Sequence, residues 1–159
     1  MSETLSGPEP DSKYLALDYG EKRIGVAVSD ENKKYSFSRD YLINDSELLN
    51  KLLKLIISEN VSEIIIGYPV NFKSEKTIQT LKTEEFRNKL ESFLKNNSVN
   101  AVIEFFDERL TSSIAETGLM NSGMKKFKRR EKGLVDSLSA QIILQDYIDR
   151  KNNLKDRLI

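Results

Sequence analysis

Two apolar runs with a helical stretch between them constrain the fold of this 159-residue chain more than any other feature. The runs cover residues 63–67 and 101–106, and such runs are typical of parallel strands covered on both faces. Strands separated by a helix in this way predict parallel neighbours joined by short right-handed crossovers. The helix is predicted over residues 76–95, and its buried side is expected to carry Leu81, Phe86, Leu90, Phe93 and Leu94.

Shorter β-rich segments precede this unit and predict an antiparallel meander of three strands. These strands are predicted over residues 14–18, 24–29 and 34–38. Further helices are predicted over residues 47–58, 111–120 and 133–150. The fold class is therefore α/β: a mixed five-stranded sheet, made of a three-stranded antiparallel meander and two parallel strands, flanked by helices.

The chain is long enough for one domain with its own core, and no internal repeat divides it. Residues 1–12 are predicted to be a mobile tail, 13–150 the folded domain, and 151–159 a polar carboxyl-terminal tail. We find no apolar run of about 20 residues and no amino terminus of the signal type. We therefore expect a cytoplasmic protein without a membrane partner.

Histidine and cysteine are both absent, which limits the chemistry available to the chain. Their absence excludes Ser-His-Asp triads, Cys-His pairs, imidazole acid–base catalysis, histidine-ligated zinc and disulfides. The remaining oxygen ligands favour Mg²⁺ or Mn²⁺. The 25 basic residues balance the 25 acidic ones, so any attraction to nucleic acid must come from a local basic patch.

Acidic residues lie at the ends of two predicted strands and on the face of the last helix that is expected to pack. Asp18 ends the first strand, and Asp107 and Glu108 end the last one. If those two strands are parallel neighbours, their carboxyl ends lie at the same edge of the sheet, where open α/β sheets bind ligands. The last helix carries Asp136 on the stripe expected to pack, together with Ala140, Ile143 and Tyr147.

Each acid alone has an ordinary structural explanation. Strand-end aspartates cap turns, acid–arginine clusters form surface ion pairs, and acids near a helix start balance its dipole. Several carboxylates at one edge of a sheet repel one another, however, unless a divalent cation lies among them. The acids together therefore predict a magnesium or manganese site.

The motifs that carry these acids resemble a known family. In chain order they are Leu17-Asp18-Tyr19-Gly20 with Lys22-Arg23-Ile24-Gly25, Ile66-Gly67-Tyr68-Pro69-Val70-Asn71, Asp107-Glu108-Arg109-Leu110-Thr111, and Val135-Asp136-Ser137 with Ile143-Leu144-Gln145. Together they resemble the YqgF family, also called RuvX, which comprises pre-16S rRNA nucleases and Holliday junction resolvases of bacteria. The resemblance covers nearly everything from Tyr14 to Ile148.

The resemblance implies an RNase H-like fold and a hydrolase, an endonuclease that cleaves phosphodiester bonds with Mg²⁺ or Mn²⁺. Carried over by position, the catalytic and metal-binding acids are Asp18, Glu108 and Asp136. Asp107 is the alternative ligand, because only one of an adjacent pair easily points into a site. One or two ions are implied, which would activate the attacking water and stabilise the leaving 3′ oxygen.

Basic and polar residues near the motifs are expected to contact nucleic acid. The loop over residues 122–132 places six basic residues in eight positions, which suits a salt-dependent footprint. Solvated charges and turn closure explain several of the other candidates equally well. The full set is Lys22, Arg23, Asn71, Arg109, Thr111, Lys125, Lys126, Lys128, Arg129, Arg130 and Lys132.

Two substrates are compatible with the resemblance. The first is structured RNA, in 5′-end maturation of pre-16S rRNA during ribosome biogenesis. The second is a four-way DNA junction in recombination and repair, which requires two opposed active sites and hence a dimer. The sequence leaves a monomer and a weak homodimer both open.

Two other classes are less favoured. An actin-like-fold ATPase closes two domains over a nucleotide, and 159 residues supply only one. A non-catalytic nucleic-acid-binding protein would have no need of the acids at Asp18, Glu108 and Asp136.

Overall fold

A computed structural model describes residues 11–71, 73–107 and 132–157, with the backbone alone for residues 132–137 and 155–157. The described strands are β1 (Lys13–Asp18), β2 (Arg23–Ser29), β3 (Ser36–Ile43), β4 (Val61–Tyr68) and β5 (Val102–Asp107). The described helices are α1 (Leu48–Ser58), α2 (Ile78–Asn96) and α3 (Lys132–Arg157). Within these ranges, no helix combines the length and the apolar character needed to cross a membrane.

The five strands form one mixed sheet in the order β3-β2-β1-β4-β5. β2 pairs antiparallel with β1 and β3, whereas β4 pairs parallel with β1 and β5. The predicted meander and the two parallel strands are therefore confirmed. β1 and β5 are not neighbours, because β4 lies between them, but their carboxyl ends still lie at one edge because all three strands run in the same direction.

Alternation along the central strands separates two apolar cores. Leu15 and Leu17 of β1 face a core that α1 and α2 complete with buried residues including Leu52, Phe86 and Leu90. Tyr14 and Ala16 face the opposite core, which α3 covers with Ala140, Ile143, Leu144 and Ile148. The predicted packed stripe of the last helix is thus confirmed for Ala140 and Ile143.

The two edge strands differ from their predictions. β3 extends beyond the predicted segment 34–38 to Ile43, with a bulge between its pairings with Ile24 and Val26. An edge strand can keep polar residues in solvent, so Arg39 and Asp40 interrupt the alternation without ending the strand. β5 is not covered on both faces: Val102 is 57% exposed, and Glu104 lies within the run.

The helices also differ from the predictions. α2 begins at Ile78, after a capping box between Thr77 and Thr80. The buried side of α2 differs from the predicted one, because Thr80 and Thr83 face the core while Leu81 is 56% exposed. α3 continues beyond the predicted end at residue 150, so residues 151–157 extend the helix.

Truncation of Ile143 is expected to destabilise the core between α3 and the sheet. This side chain is 2% exposed, so Ile143→Ala removes buried methyl groups and leaves a cavity. We expect the free energy of unfolding, measured by urea titration, to fall by about 2 to 4 kcal/mol. Leu154→Ala, in the same helix at a position 59% exposed, should change it by less than about 0.5 kcal/mol. Equal losses would contradict the packing of α3.

Candidate functional site

Asp18 is the last residue of β1 and is half-buried. It pairs with Gly25 of β2. Because side chains alternate along a strand, Asp18 shares a face with Ala16, which belongs to the core covered by α3. The carboxylate therefore lies at the carboxyl end of the central strand, on the α3 side of the sheet.

The parallel register brings the end of β5 to the same edge. Leu17 pairs with Ile66, and Gly67 pairs with Phe106, so the next row across the sheet contains Asp18, Gly67 and Phe106. Phe106 packs with the α3-side core, which agrees with the alternation. Gly67 has no side chain. On the α3 side of this row, therefore, no side chain of β4 lies between Asp18 of β1 and Phe106 of β5.

Asp107 lies one row further and belongs to the other face. It pairs with Tyr68, whose hydroxyl donates a 2.7 Å hydrogen bond to Glu84 Oε2 on α2. That hydrogen bond, together with Lys76 Nζ at 2.9 Å, lowers the pKa of the Glu84 carboxyl. The row of Asp107 is thus directed toward α2 and away from α3.

The turn after Asp18 is attached to α2 by three contacts. The Tyr19 ring stacks on Phe86 with ring centroids 4.5 Å apart, and the Tyr19 carbonyl accepts a 2.9 Å hydrogen bond from Gln79 Nε2. Glu21 pairs with Lys82, whose hydrogen bond lowers the pKa of the Glu21 carboxyl. These contacts fix the backbone that follows the candidate ligand.

The other side of the turn is closed by the end of β3. Asn44 Nδ2 donates a 2.8 Å hydrogen bond to the Gly20 carbonyl, and the Asn44 N–H donates one of 2.9 Å to the Lys22 carbonyl. Lys22 is exposed, and Arg23, half-buried, is the first residue of β2. Both predicted phosphate ligands therefore lie in the segment that follows Asp18.

Asn71 closes its own loop. Its Oδ1 accepts hydrogen bonds of 2.9 Å from the Lys73 and Glu75 N–H groups, and its Nδ2 donates one of 3.1 Å to Glu75 Oε1. Of the two explanations that the sequence allowed for Asn71, turn closure accounts for these contacts.

The other predicted site residues fall outside the described side chains. Asp136 is described as a backbone position in α3, and Lys132 is the first residue of that helix, not part of a loop. Within the described ranges, no three acidic side chains could hold a metal ion together. The predicted short helix and most of the basic loop lie outside the described ranges. The candidate residues that also lie outside them are Glu108, Arg109, Thr111, Lys125, Lys126, Lys128, Arg129 and Arg130.

Sequence reasoning missed Asn44 and Gln79, which hold the turn after Asp18. Both are polar residues outside any recognised motif, and their partners are backbone carbonyls 24 and 60 residues away in the chain. No local pattern signals such a contact, because it depends on how the turn, β3 and α2 come together in space.

Solved structures of similar fold define the class of this domain. Thermus thermophilus RuvC, solved in complex with a Holliday junction substrate, aligns with a TM-score of 0.54 over 88% of this chain and 95% of that one, at 11% identity. The yeast mitochondrial Holliday junction resolvase Ydc2 aligns with a TM-score of 0.50 over 97% and 87%, at 13% identity. At these identities the likeness shows the fold, and the predicted RNase H-like class is confirmed.

Sequence comparison identifies the family within this class. The RuvX family, described as Holliday junction resolvase, matches residues 12–150, and the chain belongs to it. A Sulfurihydrogenibium protein named "Putative pre-16S rRNA nuclease" is 41% identical over 87% of this chain and 91% of its own length. A protein of the same name from Flavobacterium psychrophilum is 37% identical over 87% and 98%. These names are those of nucleases, so the predicted family and the enzyme class, a hydrolase, are confirmed.

Gly20 is expected to be required for the turn that follows Asp18. A Cβ at this position would lie 2.6 Å from the Arg23 carbonyl oxygen, so the backbone would have to shift. We expect Gly20→Ala to reduce the free energy of unfolding by about 1 to 3 kcal/mol in urea titrations. Lys22→Ala, exposed in the same turn, should change it by less than about 0.5 kcal/mol. A Gly20→Ala protein as stable as the parent would contradict the close approach.

Proposed function

We propose that this chain is a metal-dependent endonuclease that hydrolyses phosphodiester bonds of nucleic acid, with Asp18, Glu108 and Asp136 as its catalytic acids. The observation that carries the proposal is the register of the parallel strands. It supports a site at one edge of the sheet, between Asp18 at the end of β1 and the residues that end β5, with Gly67 between them.

Alternation along β5 favours Glu108 over Asp107 as the ligand from this strand. Phe106 lies on the α3 side with Asp18, and the row of Asp107 is directed toward α2. If the alternation continues one residue past the strand, Glu108 returns to the α3 side. The first strand and the last would then each contribute one acid to the same face.

The direction of α3 supports Asp136 as the third acid. Tyr147 packs against Tyr14 near the start of β1, with ring centroids 5.6 Å apart. Ala140, nearer the amino terminus of α3, belongs to the cluster that contains Ala16. This order indicates that the amino-terminal end of α3 approaches the carboxyl edge of β1, and Asp136 lies one helical turn before Ala140.

The donor set fits a hard divalent cation. Carboxylates are the protein ligands that Mg²⁺ and Mn²⁺ accept, and a chain without histidine or cysteine has few others to offer. When bound, the cation would supply Lewis-acid activation of a water and stabilise charge on the phosphate. Asp18 would be oriented by the turn held to α2 and β3, while Lys22 and Arg23 would bind substrate phosphates.

For the substrate, we propose structured RNA, in 5′-end maturation of pre-16S rRNA. The similarity to relatives named for that activity supports this choice, since it covers nearly all of both chains. A four-way DNA junction is the second candidate, which the family description and the RuvC-like fold favour. Junction cleavage would require a homodimer, whereas RNA maturation could use a monomer.

The substitution Asp18→Asn tests catalysis. We expect it to lower the rate of cleavage of a 5′-extended 16S precursor about 100-fold or more with Mg²⁺ or Mn²⁺, because the amide is a poorer metal ligand. Asp149→Asn is a matched control in α3, where an amide oxygen can still accept the 3.1 Å hydrogen bond from Gln145 Nε2. A synthetic four-way junction assayed in parallel, with sedimentation of the protein, would identify the preferred substrate. Unchanged cleavage by Asp18→Asn would overturn the proposed site.

Binding of Mn²⁺, measured by isothermal titration calorimetry, tests which acid after β5 is the ligand. We expect Glu108→Gln to weaken Mn²⁺ binding at least about tenfold, as loss of a charged ligand should. Asp107→Asn should leave the affinity within a few-fold of the parent, because its row faces α2. The reverse result would show that the alternation of β5 does not continue past Asp107.

A further inference from the structure

The end of β3 exposes two apolar side chains on the α3 side of the sheet. Leu42 pairs with Ile24, and both pack with the core beneath α1 and α2. Because side chains alternate along a strand, the neighbours Tyr41 and Ile43 lie on the opposite face, which is the face of Asp18. Tyr41 is 40% exposed and Ile43 is 46% exposed. We call these two residues the β3 end patch.

The register of the sheet places Tyr41 level with Asp18. Asp18 pairs with Gly25 of β2. The bulge of β3 lies opposite Gly25, because the register shifts between Ile24 and Val26. Adjacent strands lie about 4.8 Å apart, so Tyr41 is two strands, or about 10 Å, from Asp18. Gly25 has no side chain, so no side chain of β2 stands between them in this row.

α3 covers the start of β3, whereas the end of the strand is accessible. Ser36 is 5% exposed, and its hydroxyl donates a 2.8 Å hydrogen bond to the Gln141 carbonyl. Gln145, one turn later in α3, accepts a 2.9 Å hydrogen bond from the Ser36 N–H. The β3 end patch lies further along the strand, toward the carboxyl edge of the sheet. A ligand at that edge could therefore contact Asp18 and the patch together.

The charges around the β3 end patch indicate which part of a nucleotide it would contact. Lys22 is exposed in the turn between β1 and β2, and Arg23 pairs with Ile43. Basic residues at these positions attract the phosphates of a strand. Asp40, exposed beside Tyr41, repels them. The Tyr41 ring is thus better suited to a base than to a phosphate.

We propose that the Tyr41 ring stacks on an unpaired base of the substrate strand, close to the bond cleaved at Asp18, and that Ile43 extends this apolar contact. The inference deepens the proposed function and rests on it, because the patch borders the same site. An exposed aromatic ring on a sheet stacks an unpaired base with little dependence on sequence. Tyr41 would therefore hold the strand, while the acids carry out the reaction.

Phe37 provides a matched control on the same strand. It pairs with Val28, which belongs to the core beneath α1 and α2, so its ring lies on the face opposite to Asp18. Its exposed fraction, 47%, is close to that of Tyr41. The two aromatic residues therefore differ chiefly in the face of the sheet that they occupy.

The test replaces the Tyr41 ring by leucine, which keeps an apolar surface but removes stacking. The probe is a short fluorescein-labelled single-stranded RNA, titrated in Ca²⁺ and followed by fluorescence anisotropy, with a gel to check that it stays intact. Ca²⁺ accepts carboxylate oxygens in flexible geometry, so it can occupy the proposed site. We expect Tyr41→Leu to bind at least about fivefold more weakly than the parent. Tyr41→Phe, which retains the ring, and Phe37→Leu should bind as the parent does.

Cleavage kinetics distinguish the ring from the acids. With the 16S precursor, Tyr41→Leu should raise KM and leave kcat nearly unchanged, because a stacking contact is made equally before and during the reaction. Asp18→Asn should instead lower kcat.

Several results would overturn the stacking contact. One is equal binding by Tyr41→Leu and the parent, even if the parent cleaves the 16S precursor, and another is a parent that binds no RNA. Equal losses in Tyr41→Leu and Phe37→Leu would show that the effect does not depend on the face, and equal losses in Tyr41→Leu and Tyr41→Phe would show that it does not depend on the ring. A parent dimer that Tyr41→Leu converts to a monomer would show that a second copy covers the patch.

The inference and the proposed function can fail separately. Weaker binding by Tyr41→Leu alone would support the stacking contact, even if Asp18→Asn cleaves as the parent does and the proposed site is wrong. Urea titration of every variant confirms that each is folded.

Discussion

The register of β1 is the constraint on which the rest of the structure depends. Leu15, Ala16 and Leu17 are fully buried, with the leucines facing α1 and α2 and the alanine facing α3. Large side chains on one face fill the space beneath two helices, whereas the small one lets α3 approach the sheet closely. A slip of one residue would exchange the two faces and move Asp18 from the α3 side to the α2 side. The packing of the core and the position of the candidate ligand are thus set together.

The turn after Asp18 connects this register to the rest of the domain. Its contacts come from α2 through Gln79 and Phe86 and from the end of β3 through Asn44. Residues outside the proposed set of metal ligands therefore determine how rigidly the Asp18 backbone is held. A ligand that is already held in position loses less freedom when a cation binds, so this rigidity would favour the proposed metal site.

The sequence predicts the strands that are buried on both faces, but it predicts the edge strands of the sheet less well. The runs at residues 63–67 and 14–18 identify central strands because the fully buried positions within them are apolar. β3 and β5 are edge strands, where solvent exposure permits charged residues such as Arg39, Asp40 and Glu104. The hydrophobic pattern therefore no longer predicts where these strands end or which of their faces are buried. For the site, strand ends predict Asp18 and the Asp107–Glu108 pair as ligands, and helical spacing predicts Asp136. Which member of the pair faces α3 depends on the register with Tyr68, which no local pattern contains.

α3 is long enough to extend along β1 from its start toward its carboxyl end. Near its carboxyl half, the Tyr147 hydroxyl contacts the carboxylates of Glu63 and, at 3.0 Å, Glu104, and burial together with these contacts raises the pKa of Tyr147. The neutral hydroxyl therefore stays a hydrogen-bond donor and fixes the helix beside Tyr14. From Tyr147 back to Asp136 the helix rises about 16 Å, and from Tyr14 to Asp18 the strand rises about 13 Å. These similar lengths support an acid on the helix at the level of the acid on the strand, so contacts at the far end of α3 would set the geometry of the proposed metal site.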